Sequence, residues 1–195
     1  TGIPDYSDDG DQTSTVTVSV NDGSSDDDYD SLADGTVSVT TTDIDAAPGL
    51  TVTQTGGSTS VNEASSGNTD TFTVVLDMQP SPSNDVVLTV TSADTGEATV
   101  SASSLTFTSS NWDTAQTVTV TGVDEDVDDG DQTVALTMAV DDASSYDTYD
   151  SVSNETVSVE VVDDDTVGFT LSGTTASVSE TGTTDTFTVV LDSEP

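Results

Sequence analysis

Two acidic runs hold most of the chemistry available to this sequence: DEDVDDGD from Asp124 to Asp131 and DDD from Asp163 to Asp165. At an effective dielectric of about 20, two carboxylates roughly 5 Å apart repel by on the order of 3 kcal/mol, so a close cluster needs a cation or protons to neutralise it. The chain supplies no cation of its own, because its 195 residues include 38 Asp and Glu and no Lys, Arg or His. Near neutral pH the expected counter-charge is a metal ion from solution. Calcium suits the donor set, since it takes about six to eight oxygens from flexible loops. Zinc, copper and iron sites would lack their preferred ligands, as there is neither His nor Cys.

DEDVDDGD superficially resembles an EF-hand loop, but Gly130 falls one place late and the twelfth position is Ala135 rather than Glu. The EF-hand is therefore rejected. The competing reading is a solvated acidic surface holding hydrated cations loosely. Against it, the carboxylates gather in loops and at strand ends, while outward strand positions are mostly Thr or Ser.

The same composition excludes several functions. Nucleic acids and anionic lipids are bound mainly through Lys and Arg, which are absent here. No apolar run approaches the roughly 20 residues that a membrane span needs, so membrane insertion is not expected. An enzyme would have no His, Cys or Lys for base or nucleophile chemistry and no Gly-rich phosphate cradle. Carboxylate pairs alone could serve a glycosidase, yet one Trp and four Tyr cannot line an aromatic sugar cleft. The expectation is a protein that is not an enzyme. The acidic, Ser/Thr-rich composition fits an extracellular or cell-surface location. Asn154-Glu155-Thr156 matches a glycosylation sequon, a pattern that also arises often by chance.

Self-comparison finds a repeat. DDGDQT at Asp8–Thr13 returns at Asp128–Thr133, and TVSV at Thr36–Val39 returns at Thr156–Val159, both 120 residues on. TDTFTVVLD at Thr69–Asp77 returns at Thr184–Asp192, 115 residues on, which places indels in loops. The expected organisation is a C-terminal fragment of one repeat at 1–45, a complete repeat at 46–165 and an N-terminal fragment of the next at 166–195. The two fragments together lack the stretch equivalent to 81–120, so neither is expected to fold alone. The chain is then an excerpt of a longer array, or neighbouring copies complete one another head to tail.

Within the complete repeat the apolar period is two, the mark of half-buried strands. Phe72, Val74 and Leu76 share one face, as do Val86, Leu88 and Val90; Val118 and Val120; Val134, Leu136, Met138 and Val140; and Val157, Val159 and Val161. Nothing shows helical spacing. About seven strands in 120 residues, separated by Asp/Gly/Ser turns, predict an all-β fold of tandem immunoglobulin-like β-sandwiches. Trp112, Phe107 and Phe72 are read as anchors of the core or its rim.

Val61-Asn62-Glu63, TFTVVLD, the segment SLTFTSSNWDTAQTVTVTGVDEDVDDGDQT from Ser104 to Thr133, and VSVEVVDDD, in this order, resemble the Calx-beta repeats of large bacterial surface proteins. The resemblance implies a calcium-binding β-sandwich. It assigns as ligands an early Glu63, a mid-domain Asp94, the loop Asp124, Glu125, Asp126, Asp128, Asp129 and Asp131, and the closing Asp163, Asp164 and Asp165. In the flanking fragments it assigns Asp5, Asp8, Asp9 and Asp11 with Asp43 and Asp45, and Glu180. Pro4, Tyr6 and Ser7 stand where the complete repeat has Asp124, Asp126 and Val127, and Ile44 stands in place of Asp164, so the leading site is expected to be weaker.

The functional expectation is a calcium-binding extracellular repeat that forms or stiffens a filament, sheath or surface-layer fibre, with other copies or neighbouring repeats as partners. An adhesin stalk, which would make cell-surface glycans candidate partners, and a calcium-sensing regulatory domain are the alternatives.

Overall fold

Thr and Val alternate through most of the chain, and both favour pleated backbone. The computed structural model describes residues 2–3, 8–64 and 68–195, and its regular structure is strand with a few single-turn 3-10 helices. The fold is all-β. The strands are β1 (Gln12–Val18), β2 (Gly35–Thr41), β3 (Leu50–Gln54), β4 (Thr59–Asn62), β5 (Thr69–Leu76), β6 (Val86–Ser92), β7 (Ala98–Val100), β8 (Ser104–Phe107), β9 (Gln116–Gly122), β10 (Gln132–Val140), β11 (Glu155–Val162), β12 (Phe169–Leu171) and β13 (Val189–Leu191).

Strands β3 to β11 form two sheets, ordered β4-β11-β10-β6-β8 and β3-β5-β9-β7. Every pairing is antiparallel except β4 with β11, which runs parallel from Val159↔Thr59 to Val162↔Asn62. Nine strands stand where about seven were expected. Part of the excess comes from Gly56 and Gly57, whose φ of 73° and 91° turn the chain between β3 and β4 so that the two join different sheets. Short β7 and β8 add to it, each belonging to a different sheet.

The period-two residues meet between the sheets. Phe72, Val74, Leu76, Val86, Leu88, Val90, Phe107, Val118, Val120, Leu136, Met138, Val157, Val159 and Val161 are buried in one cluster, with Trp112 and Val140 half-buried against it. Tyr149 is, among the described residues, the largest fully buried side chain and donates its hydroxyl to the Met78 carbonyl. Burial pushes its phenol pKa up, so it remains a donor.

The flanking segments are two-stranded: β1 pairs with β2, and β12 with β13. Their local detail copies the complete repeat. Asp192 N–H donates to the Gly168 carbonyl at 3.0 Å, as Asp77 does to Gly49.

Candidate metal centre

Glu63 follows the last residue of β4, and its N–H donates to the Val162 carbonyl at 3.1 Å, which carries the parallel ladder one residue further. Gly122, at the end of β9, passes so close to the Asn62 carbonyl that a Cβ would collide with it. The two sheets therefore converge just before Glu63 and enclose it. The residue is 0% exposed, and neither carboxylate oxygen receives a hydrogen bond. A buried carboxylate without donors is costly unless a cation or a proton compensates it.

The acidic loop and the closing run approach it from the ends of β9, β10 and β11. Gly130, at φ 78°, turns the loop so that its N–H donates to Asp163 Oδ2 at 2.6 Å. Asp163 N–H donates to Asp131 Oδ1 at 3.2 Å, and Asp165 N–H to Asp163 Oδ1 at 2.8 Å. Gln132 fastens the loop from below through the carbonyls of Asp129 and Gly130. The result is two clusters that share Glu63: Glu63 with Glu125 and Asp129, and Glu63 with Asp163 and Asp165. In each, one carboxylate oxygen per residue lies within 4.8 Å of the others.

Glu97 joins them. It precedes β7, its carbonyl accepts from Val123 N–H at 2.8 Å, and its Oε2 is buried with no partner, as is Glu125 Oε1. Burial first, then the facing Glu97 carboxylate, then Asp163 and Glu125 push the Glu63 pKa from 4.5 up to about 7. Glu125 is raised by burial and next by Asp129 and Glu97; Asp165 is raised by burial, then by Asp164, Asp126, Asp163 and Asp124. No basic group is within reach, because the chain has none.

Calcium–oxygen distances of about 2.3–2.6 Å allow two ligands of one ion to lie up to roughly 5 Å apart, so both clusters fit calcium in spacing and in donor type. Glu63, Glu125, Asp129, Asp163 and Asp165 would hold it, with Glu97 beside Glu63, and its charge would replace the protons that this pocket otherwise recruits.

The expected ligands separate into groups. Asp124, Asp126 and Asp164 are exposed on the rim beside Asp165. Asp131 spends an oxygen on Asp163 N–H, and Asp128 accepts from Val167 N–H at 2.7 Å, on the way into β12. Asp94 is exposed in the turn after β6, accepting from Gly96 N–H at 2.9 Å, and lies in neither cluster. Sequence reasoning missed Glu97, three residues further on. Its sign was a lone carboxylate immediately before a strand, β7, whereas the closing run directly follows one.

The leading segment builds the same backbone frame. Gly10 N–H donates to Asp43 Oδ2 at 2.7 Å, Asp43 N–H to Asp11 Oδ1 at 2.9 Å and Asp45 N–H to Asp43 Oδ1 at 2.8 Å, while Gln12 reaches the carbonyls of Asp9 and Gly10. The donors from Asp45 and Gly10 hold Asp43 below the usual carboxylate range, with Asp8 close enough to assist. Asp5 lies outside the described residues. Glu180 is exposed in the trailing segment. Among the described residues, the acids close enough to share an ion are the two clusters around Glu63.

The sequence matches no protein-family model and no curated protein. Solved structures of a surface-layer protein are similar. One, of SbsC domains 4–9, is 25% identical over 82% of this chain and 19% of that chain, with a TM-score of 0.43. SbsC domains 4 and 5 give 27% over 77% of this chain and 58% of that one (TM-score 0.40); domains 1–6 give 20% over 93% and 25% (TM-score 0.42). The chain thus spans about a fifth of the length of the first.

Proposed function

We propose that this chain is a calcium-binding, extracellular structural repeat, of Calx-beta type, that forms or stiffens a filament, sheath or surface-layer fibre and performs no catalysis. The observation that carries this reading is Glu63: fully buried, without a hydrogen-bond donor on either oxygen, and surrounded by further carboxylates in a chain devoid of basic residues. Ionised Glu63 needs a cation, and loops of carboxylates select a hard, oxygen-loving one. Extracellular modules of this chemistry work at about 0.1–1 mM calcium, which suits a site on open loops.

Stiffening is supported by what the acidic loop touches. Asp128 holds the backbone of Val167 in the linker, and Val127 forms a parallel bridge with Glu194, whose N–H donates to the Asp126 carbonyl. An ion that orders this loop therefore orders the path into the next segment. Small-angle scattering with calcium and with chelator tests the reading: the maximum dimension is expected to lengthen and sharpen with calcium. An unchanged profile would contradict a stiffening role.

A further inference from the structure

The motif DDGDQT stands twice in the chain, at Asp8–Thr13 and Asp128–Thr133, and each time a glutamine closes the acidic run. In the complete repeat Gln132 opens β10, and its Nε2 donates to the carbonyl of Asp129 at 3.3 Å and to that of Gly130 at 3.0 Å. Both targets only accept, so an ionised Asp or Glu at this position would meet them with further acceptors. In a chain without Lys or Arg, a carboxamide is the side chain that offers two hydrogens from one nitrogen.

The grip of Gln132 also sets the far side of the same peptide. That unit is planar and trans, so the Asp129 C=O and the Gly130 N–H point in opposite directions. With the carbonyl held by Gln132, the N–H faces Asp163 Oδ2, 2.6 Å away. Asp163 Oδ1 accepts from Asp165 N–H at 2.8 Å, so both oxygens of this carboxylate are fixed in direction. Each carries two lone pairs and retains one for an ion. Asp163 and Asp165 form one of the two clusters with Glu63.

The leading segment repeats this chain of bonds residue for residue. Gln12 Nε2 reaches the Asp9 carbonyl at 2.8 Å and the Gly10 carbonyl at 3.2 Å, and Gly10, at φ 72°, donates its N–H to Asp43 Oδ2 at 2.7 Å. Asp45 N–H then closes on Asp43 Oδ1 at 2.8 Å. All of this forms with Ile44 where the complete repeat has Asp164. The frame thus follows the glycine turn and the glutamine rather than the number of acids around them.

We propose that Gln132 is a positioning residue of the metal centre: by holding the Asp129 and Gly130 carbonyls it turns the Gly130 N–H onto Asp163 and presets that carboxylate beside Glu63 before any ion arrives. The assignment rests on the calcium reading, since it is for an ion that Asp163 is preset. A carboxylate already oriented has less freedom to lose on binding. Removing the partner that orients a metal ligand lowers metal affinity by about 10- to 100-fold.

Gln132→Met tests this in the full chain, because the side chain keeps its length and has no hydrogen to donate. A melting curve checks that the variant is folded. In the metal-free protein the Gly130 amide proton, held downfield by its bond to a carboxylate, is expected to move upfield in the NMR spectrum of the variant. Calcium titration in about 0.5 M sodium chloride is expected to give a dissociation constant at least about tenfold higher than that of the wild type. Gln132→Asn, whose amide stops one methylene short of the carbonyls, supplies the same two readouts if the methionine variant does not fold, and both are expected to change in the same direction. A glutamine that only supports the fold would lower the melting temperature and leave calcium affinity as it was. That result overturns the proposal, and so does a Gly130 resonance that stays in place. Equal calcium uptake by wild type and variant removes this assignment alone, whereas a wild type that takes up no calcium removes the calcium reading and the role of Gln132 with it.

Discussion

Raising the pH of the calcium-stripped protein from about 5 to about 8 is expected to lower its melting temperature, because Glu63 then loses the proton that its pocket favours. Its folded pKa is about 7 against an ordinary 4.5. Between those values the native state holds a proton that the unfolded state has released. The stabilisation is complete below the unfolded value and disappears as pH rises through the folded one. At about 1.4 kcal/mol per pKa unit, the whole shift corresponds to a ceiling of about 3 kcal/mol. Several of the neighbouring acids are partly exposed and screened by water and salt, which reduces the effect to about 1–2 kcal/mol, or roughly 5 °C in a domain of this size. Differential scanning calorimetry in metal-free buffer measures it. Repulsion among the other acids contributes a slope of the same sign, and Glu63→Gln separates the two. Its neutral amide imitates the protonated carboxyl, so the variant is expected to melt above the wild type at pH 8 and to follow a flatter pH profile. With saturating calcium the wild-type slope reverses, since the ion binds the carboxylate form. Identical slopes in wild type and variant, or an apo protein that melts higher at pH 8, would refute the reasoning.

Glu97→Gln is expected to weaken calcium binding about tenfold, whereas Asp94→Asn, in an exposed turn, changes it by less than about twofold; fluorescent-indicator competition reads both. Tyr149→Phe leaves the Met78 carbonyl buried without its donor and should cost about 1–3 kcal/mol in urea unfolding with an unchanged m-value. Gly122→Ala drives a methyl group into the Asn62 carbonyl, with an expected loss of about 3 kcal/mol and weakened calcium binding, because the β4–β9 contact that encloses Glu63 must open.

Much of the fold was legible because period-two alternation depends on local geometry alone. Phe72, Val74 and Leu76 declare their inward face without reference to any other strand, and they are buried as the pattern requires. The break after Gln54 was not legible, since Gly56-Gly57 reads as an ordinary turn and the change of sheet depends on which partner edge each half finds. Tyr149 could have been noticed: Tyr29 recurs there 120 residues later, and a repeated aromatic beside a turn calls for a structural reason.

The acidic loop announced itself through charge density, but density did not say which carboxylates converge. Asp128 and Asp131 look identical to Asp129 in the sequence. Backbone turns at Gly130 direct one toward Glu63 and commit the others to Val167 and Asp163. Glu97 stayed hidden because it stands alone in sequence, and only the closure of β7 against β9 brings it to the cluster.

Isothermal titration of calcium into the stripped chain, run beside Glu63→Gln in about 0.5 M sodium chloride, addresses the centre itself, since that salt screens a diffuse ion atmosphere and leaves a coordinated ion in place. The wild type is expected to take up at least one ion per chain with a dissociation constant of about 10⁻⁴ to 10⁻³ M, and the variant to bind at least about tenfold more weakly. Uptake that is equal in the two proteins, or that vanishes in the salt, would contradict a calcium centre built on Glu63.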